Sequence, residues 1–197
     1  MAKYKFTTPL KEDQVRGLNL GDIIYITGTI YSARDMAHRK LIEQVERGQK
    51  PPIQIKDAVI YHAGPIVRKK NGEWEVVSAG PTTSSRLNRV TPKLLQYYPV
   101  RMLIGKGGMS SEVAEALKGR GAVYCHYTGG VGVLAAKNIK RIVRVEWLNL
   151  GIPEAVWVFE VENFGPLIVT MDAKGNSLYE QLGREQEKRL EKLLSSL

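Results

Sequence analysis

Asp22-Ile-Ile-Tyr-Ile-Thr-Gly-Thr-Ile30 is the stretch on which the fold turns. It is β-branched and apolar on both faces, the pattern of a strand covered on two sides. Just beyond it, Ala37, Leu41 and Val45 recur at helical spacing with Ile42 beside them, and Gly48 ends the run before Pro51-Pro52. Ser32 and Asp35 stand where a capping-box-like start would be. A buried strand feeding an amphipathic helix is the unit of an α/β protein. The connecting loop, Thr27 to Arg34, then meets a helix N-terminus, where backbone N–H groups favour an anion. Arg34 alone reads as a surface arginine.

Upstream, residues 1–20 read as a lead-in segment, with Thr7-Thr8-Pro9-Leu10 extended and Val15 and Leu18 buried. Downstream, Ala58–His62 and Glu73–Val77 read as a strand pair around a Lys69-Lys-Asn-Gly72 turn. Thr91-Pro92 opens a helix. Val100–Ile104 is a short buried strand that runs into Gly105-Lys-Gly-Gly108, and Ser110 or Ser111 caps a helix reaching Lys118. Ala122–Tyr127 is another strand, followed by Gly129-Gly130 and a small-residue helix over Val131–Ile139. Arg141–Trp147, Ala155–Val161 and Leu167–Met171 are the last strands, with a turn at Asp172–Asn176. From about Ser177 a charged helix carries Leu178, Leu182, Leu190, Leu193 and Leu194 as a stripe for core or subunit contact. With no internal repeat or linker, the expectation is one α/β unit over residues 1–197, with mixed sheets and flanking helices.

Composition narrows the function. Hydrophobic residues at 43% and charged residues at 25% are those of a soluble globular protein. No apolar run approaches the ~20 residues that span a bilayer. Met1-Ala-Lys-Tyr-Lys lacks a signal peptide's apolar core, so a cytoplasmic protein is expected. Cys125 is the only cysteine, which excludes an internal disulfide and any iron–sulfur cluster held by several thiolates of this chain. His38, His62 and His126 lack the close spacing of a zinc site, so no metal is expected on this chain. A net charge of +9 invites a nucleic-acid reading. The cations are scattered, however, without interleaved aromatics, and suit a dianionic metabolite or an acidic partner subunit as well.

Two loops carry chemistry. Ser78-Ala-Gly-Pro-Thr-Thr-Ser-Ser-Arg86 follows a predicted strand, which Gly80-Pro81 ends, and lines up four hydroxyls and a guanidinium. By itself it reads as a polar turn, yet it can gather donors around a small anion. Gly105-Lys106-Gly107-Gly108 fails as a P-loop, because Gly107 follows the lysine, and fails as G-x-G-x-x-G at Ser110. Ile104–Gly108 matches the core of the phosphate-clamping loop of RNA-binding KH modules, except that Ser111 replaces an apolar residue. Gly130-Val-Gly132-Val-Leu-Ala135 fits the looser G-x-G-x-x-A pattern, but Glu146 comes too early and Glu154 lies in a turn. Those glycines read as packing a helix onto the sheet. Arg34, Thr82, Thr83, Arg86 and Lys106 each lie just after a predicted strand, on three loops that an α/β sheet can gather at one edge. Three cations and several hydroxyls there would suit a dicarboxylate, which guanidinium groups bind bidentately.

Gly21-Asp22 through Thr27-Gly-Thr-Ile-Tyr-Ser-Ala-Arg-Asp-Met-Ala-His38, Tyr61-His-Ala-Gly-Pro65, Ser78–Arg86, Ile104–Gly108, Gly151-Ile-Pro-Glu-Ala-Val-Trp157 and Asp172-Ala-Lys-Gly-Asn-Ser177 cover nearly the whole chain in order. Together they resemble the β subunits of class I fumarate hydratases and L-tartrate dehydratases. The resemblance implies a swivelling β/β/α fold and an α subunit that carries a [4Fe–4S] cluster on three cysteines. It implies Thr82 as catalytic base and Arg34, Arg86 and Lys106 as substrate-binding cations. The implied activity is hydration of fumarate to (S)-malate, with L(+)-tartrate as the alternative substrate and RNA binding through Gly105–Gly108 as the reading from another class. His126-Tyr-Thr-Gly-Gly130 departs from the small apolar residues of the family pattern.

Overall fold

The computed structural model describes residues 1–195. Its strands are β1 (Lys3–Thr7), β2 (Ile23–Ser32), β3 (Val59–Tyr61), β4 (Ile66–Lys70), β5 (Glu73–Ser78), β6 (Met102–Gly105), β7 (Val123–His126), β8 (Ile139–Glu146) and β9 (Val156–Met171). Its helices are α1 (Glu12–Arg16), α2 (Asp35–Glu46), α3 (Thr91–Tyr97), α4 (Ser111–Arg120), α5 (Gly132–Asn138) and α6 (Leu178–Leu194). Seven strands form one mixed sheet in the order β1-β2-β3-β6-β7-β9-β8, and β4 and β5 form a separate hairpin. The first five are parallel neighbours. β9 runs against β2, β7 and β8, so the pairings β2-β3-β6-β7-β9-β2 close into a ring.

The two sides of the sheet bury separate apolar clusters. Ile24, Ile26, Tyr61, Ile104, Trp157 and Phe164 belong to one. Leu41, Leu94, Leu103, Val113, Leu117 and Tyr124 belong to the other, beneath α2, α3 and α4. Each such side chain contributes about 1.5–3 kcal/mol by leaving water. Val15 and Leu18 are buried as expected, although Lys3–Thr7 also pairs as a strand.

Four expectations change. Ser32 caps nothing: its hydroxyl accepts the Trp157 N–H at 3.1 Å, inside the sheet. Arg34 takes the N-cap position of α2, and the first-turn amide of Met36 is satisfied from afar by Glu154 Oε2 at 3.0 Å. Ala58–His62 does not pair with Glu73–Val77; β3 joins the main sheet between β2 and β6, while β5 pairs with β4. The charged run Ile66–Lys70 concealed that partner.

The segments Ala155–Val161 and Leu167–Met171 are two ends of the single 16-residue β9, which bends where Asn163 (φ 47°) and Gly165 (φ 153°) leave ordinary strand geometry. A Cβ at Gly165 would come within 2.6 Å of the Ile24 carbonyl, so only glycine allows that crossing. Finally, α6 starts as expected, with Ser177 accepting from the Glu180 amide, but its leucines are not core. Leu182 and Leu190 are 47% and 56% exposed, and Leu193 and Leu194 are exposed as well. Among the described residues no helix is long and apolar enough to cross a membrane.

Candidate active site

Because β2, β3, β6 and β7 run parallel, their carboxyl ends open onto one edge, where α/β sheets bind ligands. Arg34 follows β2, His62 follows β3, Lys106 follows β6, and His126 ends β7. The hydroxyl-rich loop is laid across these ends by its main chain. Ala79 N–H donates to Gly132 O at 2.9 Å, Thr82 N–H to His62 O at 2.6 Å, and Ser84 N–H to Lys106 O at 3.0 Å. Lys106 N–H returns a bond to Thr82 O at 3.1 Å, so Thr83 and Lys106 form a parallel bridge. Ser84–Leu87 then turns as a short 3-10 helix that holds Arg86.

The four residues singled out above meet this edge in different ways. Thr82 and Lys106 are half-buried and joined directly through their peptide groups. The Arg34 Nε lies 3.2 Å from Glu154 Oε1, with both side chains largely covered. Its guanidinium crosses Gly64, where a Cβ would stand 2.7 Å from Nη1 and 2.7 Å from Pro153 O. Gly64 therefore leaves the space that the Arg34 guanidinium and the Pro153 backbone share. Arg86 is the most open, 49% exposed and 3.7 Å from the Asp35 carboxylate, the residue after Arg34. At that exposure the pair holds Arg86 only weakly.

Sequence reasoning missed the layer beneath. His62 Nδ1 lies 2.9 Å from Ser84 Oγ, and the Tyr124 hydroxyl lies 3.0 Å from Ser84 Oγ and 2.9 Å from Gly107 O. His38 Nδ1 donates to the Arg34 carbonyl at 2.8 Å, and its ring stands edge-on to His62 with centroids 5.2 Å apart. Both histidines are fully buried. Burial lowers His38 to about 4, against the Arg34 carbonyl and the Asp35 charge. Burial and the neighbouring His38 push His62 well down. Both rings are thus neutral at neutral pH and serve as scaffold. Their signal lay in the Thr27–His38 and Tyr61–Pro65 motifs, in which neither His38 nor His62 had been given a role; Glu154 likewise sat unassigned in Gly151–Trp157.

Of the two glycines in Gly130–Ala135 only Gly132 packs closely, a Cβ there standing 2.2 Å from Ser78 Oγ, whereas a Cβ at Gly130 (φ 79°) would meet nothing within 4 Å. His126 pairs in register with Gly105, and its Nδ1 lies 3.1 Å from the Tyr179 hydroxyl of α6. Tyr179 also covers Gly108, where a Cβ would come within 2.9 Å of the ring. The histidine that departs from the family pattern thus ties α6 to the Lys106 loop.

A [4Fe–4S] cluster does not fit the residues of this chain. Cys125 is wholly buried within β7, and burial raises its thiol far above the usual range. Among the described residues, no group of three or more His, Cys, Asp or Glu could hold a metal ion.

A family model described as Fumarase C-terminus matches residues 2–182. The chain belongs to the fumarase C-terminal family. A protein of Methanocaldococcus jannaschii, provisionally named L(+)-tartrate dehydratase subunit beta, is 44% identical over 98% of both chains. The L(+)-tartrate dehydratase subunit beta of Escherichia coli K12 is 42% identical over 87% of this chain and 84% of its own. A provisionally named class I fumarate hydratase of Geobacillus stearothermophilus is 39% identical over 94% of this chain, which spans 34% of that protein. The fumarase C-terminal family therefore includes members named as separate subunits and a member in which the same stretch is about a third of a longer chain.

Proposed function

We propose that this chain is the β subunit of a two-subunit, cytoplasmic hydro-lyase that reversibly hydrates fumarate to (S)-malate. The observation that carries the reading is the stitching of Thr82 to Lys106 at the edge that Arg34 and Arg86 also flank. Arg34, Arg86 and Lys106 bind the two substrate carboxylates, the guanidinium groups through paired N–H donors. Thr82 takes the C3 proton of malate. As that C–H bond breaks, charge builds on the adjacent carboxylate, and cations fixed there lower the barrier. An alcohol is a weak base at neutral pH; the charges of Arg86 and Lys106 favour its deprotonated form. In the dehydration direction C3–H and C2–O break, C2=C3 forms and water leaves, with no net redox change.

The partner is an α subunit, in keeping with relatives named as β subunits. Because this chain offers no seat for the [4Fe–4S] cluster, the cluster is assigned to that α subunit. L(+)-tartrate is the second reading, favoured by the name of the Escherichia coli relative. RNA binding through Gly105–Gly108 is set aside, since the loop N–H and carbonyl groups of Lys106 are already engaged by Thr82 and Ser84.

The test is turnover of malate, fumarate and both tartrate enantiomers by the co-expressed, anaerobically reconstituted pair. Thr82→Ala should lower kcat by at least about 100-fold, the lower range of a general base. Near-normal turnover by that variant would remove Thr82 as the base. Arg34→Met should chiefly raise KM; a fall in kcat alone would mean that its contact forms only in the transition state.

A further inference from the structure

Beneath the Thr82 loop, the protons of three buried side chains can be placed by elimination. The Tyr124 hydroxyl and the Gly107 carbonyl are 2.9 Å apart, and a carbonyl cannot donate, so the tyrosine proton lies on that contact. Tyr124 has no second proton. Its 3.0 Å contact with Ser84 is therefore a bond donated by the serine hydroxyl. Ser84 has then spent its own proton, so the 2.9 Å contact with His62 is donated by Nδ1–H. Nε2 of His62 is left as a bare acceptor, buried with no hydrogen-bond partner among the described residues. The order is fixed from end to end: His62 to Ser84, Ser84 to Tyr124, Tyr124 to the Gly107 carbonyl.

Both ends of this relay are attached to the reacting edge. His62 holds the Thr82 amide through its own carbonyl at 2.6 Å, and Gly107 directly follows Lys106. In the middle, Ser84 receives no steric choice. A Cβ on Gly105 would lie 1.8 Å from Ser84 Oγ, so the hydroxyl fills the space that the glycine leaves. Resting on the hydro-lyase reading, we propose that His62, Ser84 and Tyr124 are positioning residues whose one-way hydrogen-bond relay sets the Thr82 hydroxyl against the Lys106 ammonium. None of the three is offered as a group that touches substrate. Their effect passes through the peptide groups at each end of the relay.

Two measurements decide it. In the reconstituted α–β complex, Tyr124→Phe keeps the ring and removes the relay's last donor. It should lower kcat/KM for malate by about 10- to 100-fold, the cost of a small misplacement of reacting groups. In a Lys106→Met background the same change should cost less than about 3-fold, because the group being positioned is already gone. An equal loss in both backgrounds overturns the proposal, since a residue that merely supports the fold would act independently of Lys106. The second measurement is the nitrogen NMR spectrum of histidine-labelled full chain, which reports the His62 tautomer without any turnover. Protonated Nδ1 with bare Nε2 is expected; a proton on Nε2 reverses the relay and overturns the proposal. Failure of the complex to act on any diacid would instead remove the hydro-lyase reading, leaving the tautomer to decide the relay.

Discussion

Replacing Gly105 with alanine should cost far more than adding one methyl group to a strand end. The new Cβ would lie 1.8 Å from Ser84 Oγ and 3.2 Å from both Ser84 Cβ and His62 Nδ1. The serine hydroxyl would have to swing away and abandon its bonds to His62 and Tyr124. Leaving a buried partner unsatisfied costs about 1–3 kcal/mol, and overpacking a filled site adds about 1–3 kcal/mol. A total of about 4 kcal/mol is a large share of the ~5–15 kcal/mol that holds a domain together. Urea unfolding of the full chain, followed by tryptophan fluorescence, would read it as a lower midpoint at unchanged slope. The decisive control is the same substitution in a Ser84→Ala background, where no oxygen stands in the way. There Gly105→Ala should cost only about 1–2 kcal/mol, the price of a tight carbon contact. Equal costs in the two backgrounds would refute the steric reasoning.

Acid should destabilise the fold through its buried histidines. Their folded pKa values lie below the unfolded value, so their stabilisation is complete above about pH 6.5 and is lost as pH falls below it, for His38 down to about 4. Each contributes a slope of up to about 1.4 kcal/mol per pH unit. His38→Gln should flatten the stability profile across that window, and profiles of equal slope would contradict the burial argument. Arg101 is 7% exposed and bonds Asp57 at 2.8 Å, Glu12 at 2.7 Å and the Arg120 carbonyl at 2.6 Å. Arg101→Met should cost about 1–3 kcal/mol by leaving the Arg120 carbonyl and the partly covered Asp57 without their donor; a change below about 1 kcal/mol in urea unfolding would show that water replaces it.

Local pattern carried much of the fold. The apolar run to Ile30 became β2, the Ala37–Val45 spacing became α2, and Gly132, the first residue of α5, proved to be a packing contact. Local pattern failed where a distant partner decided the outcome. Ser32 looked like a cap because nothing nearby announces that Trp157 claims its hydroxyl. Residues 162–166 fell between two predicted strands, yet β2 pairs with both arms and with Phe164 in the bend, holding the chain as one strand. At the site, Arg34, Thr82, Arg86 and Lys106 were visible as cations and hydroxyls after strand ends. The meeting of His62, Ser84 and Tyr124 was not, because Ser84, one of the loop's four hydroxyls, joins the other two only when its amide bonds Lys106 at the end of β6, between β3 and β7.

Thr82 and Lys106 are anchored by amides and carbonyls rather than by what hangs from their Cα atoms. Any L-amino acid other than proline brings the same anchors to either position. A lineage could therefore exchange the reactive groups themselves while the frame beneath stayed put, and so explore new diacids without first having to refold.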